Sequence, residues 1–246
     1  MSWNIRAGGG KRIGCILDNL IRWQPDVICL NEFRGTPPSL DLACALVSCG
    51  FPFQRNTVNA SDKAKNALLI ASAIPIKRTW RKGMPDNAER WLSIRLNRVL
   101  PIFLGIMHIP NYTHPHLKYP FMQAVLELQK RWRSSPAIFL GDTNCGKRGI
   151  DEEQYSSVLF RREHDWMENI ESNRWVDIYR HFHGSRREFT WYSHRNNGFR
   201  LDHAFCNQKM LPAVCSIRYE WGHDPTQAKR RDAVSDHAAM IIDLDS

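Results

Sequence analysis

Apolar positions along the chain follow two periods, and the alternation between them outlines an architecture. Ile13, Ile16, Leu17, Leu20 and Ile21 recur at the spacing of one helix face, whereas Val27-Ile28-Cys29-Leu30, entered through Pro25-Asp26, is a short unbroken apolar run of the kind that fills a buried strand. With Trp3-Asn4-Ile5-Arg6 as a first strand, the chain opens strand-helix-strand. Further helices are expected over about Leu40 to Val47 and Lys118 to Trp132, and strands near Ala67 to Ala71, Trp91 to Leu96, Pro101 to Met107 and Ala137 to Leu140. Beyond Gly141 the chain becomes polar and charge-rich, with a helix near Arg161 to Ile170 and strands at Phe189 to Ser193, Leu201 to Cys206, Ala213 to Tyr219 and Ala238 to Leu244. Several later connections are short enough for hairpins, so mixed sheets within an α/β fold are expected. No repeat, low-complexity tract or linker divides the 246 residues, which predicts one domain over 1–246. Only Met1 and Ser2 precede the first strand, which is short for a central one and leaves open a natural start further upstream.

Polar residues fall at the ends of these runs. Glu32 follows the strand ending at Leu30, His108 the one ending at Met107, and Asp142 with Asn144 the one ending at Leu140. Asp202-His203 and Asp236-His237 stand at the starts of later strands, which an antiparallel arrangement brings to the same edge. Each residue alone has an ordinary role: Asp142-Thr143-Asn144 can be an Asx turn, Asp236 a turn cap, and His108 a satisfied core histidine. Jointly they predict convergence on one site. Gathering Glu32, Asp142, Asp202 and Asp236 is strongly repulsive without a cation or protons, and an oxygen-rich donor set suits magnesium or manganese better than zinc. Such a site suits phosphodiester hydrolysis, with charge offset by the metal, water deprotonated by a carboxylate or histidine, and a neutral donor such as Asn144 on the transition state.

Composition narrows the setting. Thirty-four Lys and Arg against 25 Asp and Glu give a net charge of +9, which attracts a polyanion, nucleic acid first and anionic lipid second. The apolar fraction of 43% supports a large core, no run is long enough to span a membrane, and the amino terminus lacks a secretory stretch, so a soluble cytoplasmic protein is expected. Seven cysteines form no C-x-x-C pair, which predicts a reducing compartment; Cys29, Cys44, Cys49 and Cys206 are expected as small buried hydrophobes.

Six segments carry a resemblance: Trp3-Asn4-Ile5-Arg6, Leu30-Asn31-Glu32-Phe33-Arg34, His108-Ile109-Pro110-Asn111, Gly141-Asp142-Thr143-Asn144, Phe199-Arg200-Leu201-Asp202-His203-Ala204-Phe205 and Ser235-Asp236-His237. In this order they resemble the endonuclease/exonuclease/phosphatase superfamily, which includes exonuclease III, abasic-site endonucleases, deoxyribonuclease I and sphingomyelinases. The resemblance implies a deoxyribonuclease I-like four-layer α/β/β/α sandwich with two mixed β-sheets and the site at one end of the sheet pair. It implies Glu32 as the principal metal carboxylate, Asn4 as a ligand or orienter and Asp236 as another metal-side carboxylate. Asp142 then activates water or protonates the leaving group, Asn144 binds phosphate, Asp202 orients an imidazole, and His237 stands at the scissile phosphate. One or two Mg2+ ions are implied, Mn2+ substituting, with Asp142, Asn144 and His237 around a second. His108 matches the deoxyribonuclease and sphingomyelinase branches, whereas Ile109-Pro110-Asn111 and the stretch from Phe189 to Asp202 match the repair branch.

Arg6 and Arg34 are similar to phosphate-contacting arginines of deoxyribonuclease I; Asn111, Lys147, Arg148 and Phe199 complete the expected DNA-contacting set. Lys229-Arg230-Arg231 reads equally as a phosphate contact or a solvated loop, and Trp191 as core. The expected activity is a Mg2+-dependent DNA endonuclease or exonuclease of exonuclease III type, with abasic-site repair in range and no obligatory protein partner. A sphingolipid or inositol-phosphate phosphodiesterase and an inactive nucleic-acid-binding module are the alternatives.

Overall fold

A computed structural model describes residues 1–79, 83–87, 89–97, 101–154 and 161–245. In chain order the elements are β1 (Ser2–Asn4), α1 (Ile13–Arg22), β2 (Val27–Phe33), α2 (Pro37–Ser48), β3 (Phe53–Asn56), β4 (Ala67–Ser72), β5 (Ile76–Arg78), β6 (Trp91–Leu96), β7 (Ile102–His108), α3 (Pro115–Arg131) and β8 (Ala137–Asp142). There follow α4 (Arg161–Ser172), β9 (Trp175–Asp177), α5 (Ile178–His183), β10 (Trp191–Tyr192), β11 (Gly198–Phe199), β12 (Asp202–Asn207), β13 (Val214–Glu220) and β14 (Ala239–Leu244). One sheet runs β13-β14-β1-β2-β4-β3 and the other β5-β6-β7-β8-β12-β9, while β10 and β11 form a separate ribbon. Both large sheets are mixed: β1 pairs with β2 in parallel, and β7 with β8, within otherwise antiparallel ladders.

Side-chain alternation explains the four layers. On β4, Leu68 and Ile70 enter the core between the sheets with Ile106, Ile138 and Leu140, whereas Leu69 and Ala71 face Ile16, Leu20, Leu42 and Leu46 of α1 and α2. On β8 the same alternation sends Ile138 and Leu140 inward and Phe139 outward onto Phe121 and Val125 of α3 and Trp166 of α4. Strands covered on both faces must read as continuous apolar runs, which is the pattern the sequence shows. Mixed sheets sandwiched between helices were expected, and this is the deoxyribonuclease I-like sandwich.

Five of the described elements escape a reading of periodicity, the two-residue β11 among them. β3 and β5 are edge strands with mostly exposed side chains, β9 has three residues, and α5 has six. The strand expected from Phe189 to Ser193 contracts to Trp191–Tyr192, whose ladder partner among the described residues is the two-residue β11. Cys44 and Cys49 are exposed rather than buried, since α2 turns Leu42 and Leu46 inward. Among the described residues no helix is long and apolar enough to cross a membrane.

Candidate active site

Strand register assembles one wall. β8 lies between β7 and β12, and Asp142 stands level with His108 on the first and Asp202 on the second. Gly141, at φ 135°, makes this row feasible: a Cβ there would lie 2.0 Å from the Met107 carbonyl oxygen. Asp142 accepts hydrogen bonds from the Asn4 amide across the sheet interface at 3.0 Å and from the Asn144 backbone N–H at 2.9 Å, the latter closing an Asx turn. Asn144, at φ 47°, donates its own amide to the Ile109 carbonyl at 2.9 Å.

His237 arrives from the other sheet. The Trp3 indole donates to its carbonyl at 2.9 Å, and the Ser235 hydroxyl donates to the Asn4 carbonyl at 2.5 Å, so β1 fixes the segment before β14. Nδ1 of His237 meets an Asp202 oxygen at 2.9 Å, which leaves Nε2 facing Asp142 at 3.8 Å. Nε2 of His108 lies 3.6 Å from the same Asp142 oxygen.

The electrostatics divide these groups. Burial opposes charge on His237, but Asp202 and then Asp142 outweigh it and raise the imidazole to about 10. His108 is pushed well below its ordinary value by burial, then by Arg90 and His237. Burial also pushes the Asp142 carboxyl up to about 7, opposed by His237 and reinforced by Asp202. A cationic imidazole, a neutral imidazole and a carboxyl able to exchange a proton near neutrality thus meet at one point.

The facing wall holds Glu32 and Asp236. β2 continues past Leu30 to Phe33, and its ladder with β4 slips between Asn31 and Phe33, with Glu32 at φ 58°. Glu32 is therefore a bulge residue, released from pairing and turned into the cavity, rather than the residue after the strand. Its carboxylate accepts the Ala7 N–H at 2.6 Å; among the described residues it has no ion pair, and the Asp236 carboxylate has neither hydrogen bond nor ion pair. Two carboxylates facing one cavity with so few partners fit a hard divalent cation, which Glu32 and Asp236 would hold. The amide oxygen of Asn4 accepts the Arg6 N–H at 2.9 Å, so in this structure Asn4 orients Asp142 and the Arg6 turn. Asp142, Asp202 and His237 form a second group that can hold a metal ion, with ligand atoms within 4.8 Å of one another.

The cavity between the walls encloses about 600 Å3 and is lined by Glu32, His108, Asp142, Asn144, Asp236 and His237, with the apolar cluster of Trp191, Phe199 and Leu201 completing the lining. Trp191 is thus a cavity ring rather than core; its backbone bridges to His237. Asn111 lines the cavity too, whereas Arg34 is bound at 2.7 Å to Asn66, Lys147 pairs with Glu171 at 2.5 Å, and neither Lys147 nor Arg148 borders it. Arg6, at φ 53°, is exposed in the turn beside Glu32.

Several supporting residues carry no local sequence signal. The Thr190 hydroxyl accepts the backbone N–H groups of Leu201 and Asp202 at 3.0 and 3.2 Å. Lys118 is buried, donating at 2.8 Å to the Asn144 carbonyl and pairing at 2.8 Å with Glu163. Arg200, fully buried, joins Asp151 and Asp177, and Tyr219 donates at 2.7 Å to the Asp202 carbonyl. Apolar spacing cannot reveal such charges, because their partners lie 49 and 23 residues away.

A row of His, Asp and Asn across the sheet ends suits the hydrolysis of phosphoric esters. The profile of the Endonuclease/Exonuclease/phosphatase family matches residues 1–237, and the chain belongs to that family. Among solved structures it is similar to a 3′-5′ exonuclease, NExo, from Neisseria meningitidis, at 19% identity over 100% of this chain and 98% of that one, with a TM-score of 0.79. It is similar to a structure described as the 3′ phosphatase NExo from Neisseria bound to a product DNA hairpin, at 19% identity, 100% and 98% coverage and a TM-score of 0.77. It is also similar to an AP endonuclease from Archaeoglobus fulgidus, at 15% identity, 100% and 99% coverage and a TM-score of 0.79.

Proposed function

We propose that this chain is a divalent-metal-dependent nuclease that hydrolyses DNA phosphodiester bonds, with a base-free sugar or a strand end as its preferred site of action. One observation carries the reading: the cavity sets an apolar hollow of Trp191, Phe199 and Leu201 against a wall of phosphate chemistry. A deoxyribose without its base suits such a hollow, while the adjoining phosphate faces Asn144 and His237. The net charge of +9 and the solved relatives described as acting on abasic sites or bound to DNA support the same substrate.

In this reading the imidazolium of His237, oriented by Asp202, stabilises charge growing on the non-bridging oxygens. Asn144 holds the phosphate, and Asp142, kept near neutrality by its burial, takes the proton from attacking water and returns one to the leaving oxygen. Magnesium or manganese at Glu32 and Asp236 supplies further charge neutralisation when bound. His108, uncharged, flanks Asp142 at 3.6 Å.

The test is an end-labelled DNA duplex bearing one abasic analogue, incubated with magnesium or with chelator, for wild type and Asp142→Ala. The expected result is a metal-dependent cut at the lesion or release at the 3′ end, reduced about 10³-fold or more in the variant. No cleavage under any divalent metal overturns the nuclease reading and moves attention to phospholipid and inositol phosphate esters.

A further inference from the structure

Beside the catalytic cavity, with Asp236 at the seam, lies a smaller hollow of about 210 Å3 whose lining includes Tyr192, Asn196, Trp221, Arg231 and Asp232. The guanidinium of Arg231 lies 3.3 Å from the centroid of the Tyr192 ring and 5.2 Å from that of Trp221, and the two rings are themselves 6.1 Å apart. Both rings are anchored. Tyr192 ends β10, next to the cavity ring Trp191, and Trp221 directly follows β13 and packs against the core between the sheets.

Arg231 is not neutralised by this arrangement. Among the described residues no carboxylate forms an ion pair with it, and its hydrogen-bonding contact is a long 3.4 Å approach to the Asn196 side-chain oxygen. The neighbouring carboxylate, Asp232, is taken by Arg230 at 3.3 Å. A guanidinium held over an aromatic ring keeps its charge and most of its five N–H donors, and has already lost much of the freedom that a loose arginine loses on binding. Its fork geometry suits phosphate oxygens. Asp236 stands where the catalytic and smaller hollows meet, so a strand whose scissile phosphate lies at His237 can lead its next phosphates toward Arg231.

We propose that Arg231, held by Tyr192 and Trp221, is a subsite for a phosphate flanking the scissile one, and that it favours polynucleotides over isolated phosphate esters. The proposal rests on the nuclease reading above and deepens it. It also separates the members of the basic run: Arg231 contacts substrate, while Arg230 is engaged with Asp232 and Gln227.

The experiment scans an abasic duplex with a neutral methylphosphonate at each of the three phosphates on either side of the scissile one, measuring kcat/KM for wild type, Arg231→Ala and Arg231→Lys. One position is expected to cost wild type about tenfold, the scale of one charge-assisted contact. Arg231→Ala loses about tenfold on the unmodified duplex, and at that one position the two losses do not multiply. Arg231→Lys restores part of the rate, and the salt dependence of Arg231→Ala is shallower by about one phosphate contact. Losses that multiply at every position, or an Arg231→Ala rate within twofold of wild type, overturn the subsite and leave the nuclease reading intact. Wild type that cuts none of the duplexes overturns both.

Discussion

On the wall formed by β7, β8 and β12, Asp142 accepts two hydrogen bonds, His237 is tied to Asp202 at 2.9 Å, and the groups are buried. On the facing wall, Glu32 takes a single backbone N–H and Asp236 takes nothing from the described residues. The first wall is completed by the protein's own groups. The second keeps charge in reserve for something that arrives from solution. Hydrolysis of a phosphoric ester can use both: fixed donors aimed at the developing charge, and carboxylates able to hold a cation that offsets the charge of the ester.

Breaking the finished wall should have the largest effect. Asp202→Asn removes the charge that orients His237 and keeps it cationic, and kcat/KM is expected to fall by about 10³- to 10⁴-fold, the scale seen when a catalytic histidine loses its carboxylate partner. Adding metal should restore none of it. A loss below tenfold in single-turnover cleavage would show that the dyad does not act in the chemical step.

The next effect tests what lies behind that wall. Arg200→Met leaves Asp177 buried without its guanidinium and Asp151 with Arg180 alone, and unfolding free energy measured in urea at pH 7 is expected to drop by about 3–5 kcal/mol. Burial raises the Asp177 carboxyl, but Arg200 and His203 outweigh it and hold the group below its ordinary value. A depressed carboxylate contributes stability above its unfolded pKa, near 4, and the contribution is lost as pH falls through the folded value. The gap between wild type and Arg200→Met should therefore narrow below about pH 4. A gap that stays constant or widens on acidification contradicts the ion-pair account.

The smallest effect belongs to the open wall. Glu32→Gln should raise the divalent-ion concentration for half-maximal cleavage by about 10- to 100-fold, with most of the rate recovered at saturation. Rescue of Glu32→Gln by metal alongside none for Asp202→Asn would sharpen the contrast. Equal metal dependence for both variants and wild type would erase it.

The two walls also differ in how they could be read from the chain. Apolar runs such as Ile102 to Met107 and Ala137 to Leu140 locate the central strands, because strands buried on both faces admit little else. Asp142, Asp202 and His237 each follow or open such a run, so a sequence reading places them at one sheet edge. It cannot see that Glu32 sits in a bulge, since the slip depends on the partner strand β4. Nor can it see Arg200 meeting Asp177, or Lys118 beneath Asn144, because a buried charge in sequence looks like any surface charge until its distant partner is known. β3 and β5, on sheet edges with exposed side chains, lack the continuous apolar pattern for the same reason that the central strands have it.

The contact between Trp3 and the His237 carbonyl, with the Ser235 hydroxyl on Asn4, joins positions 234 and 231 residues apart. A chain that stops short of Ser235 already contains Glu32, His108, Asp142 and Asp202, yet it lacks His237 at the cavity and β14, the strand that flanks β1 opposite β2. Completion of the site thus waits on the docking of Ser235 to His237 against β1, which couples the integrity of the catalytic row to closure of the chain's two ends on one another.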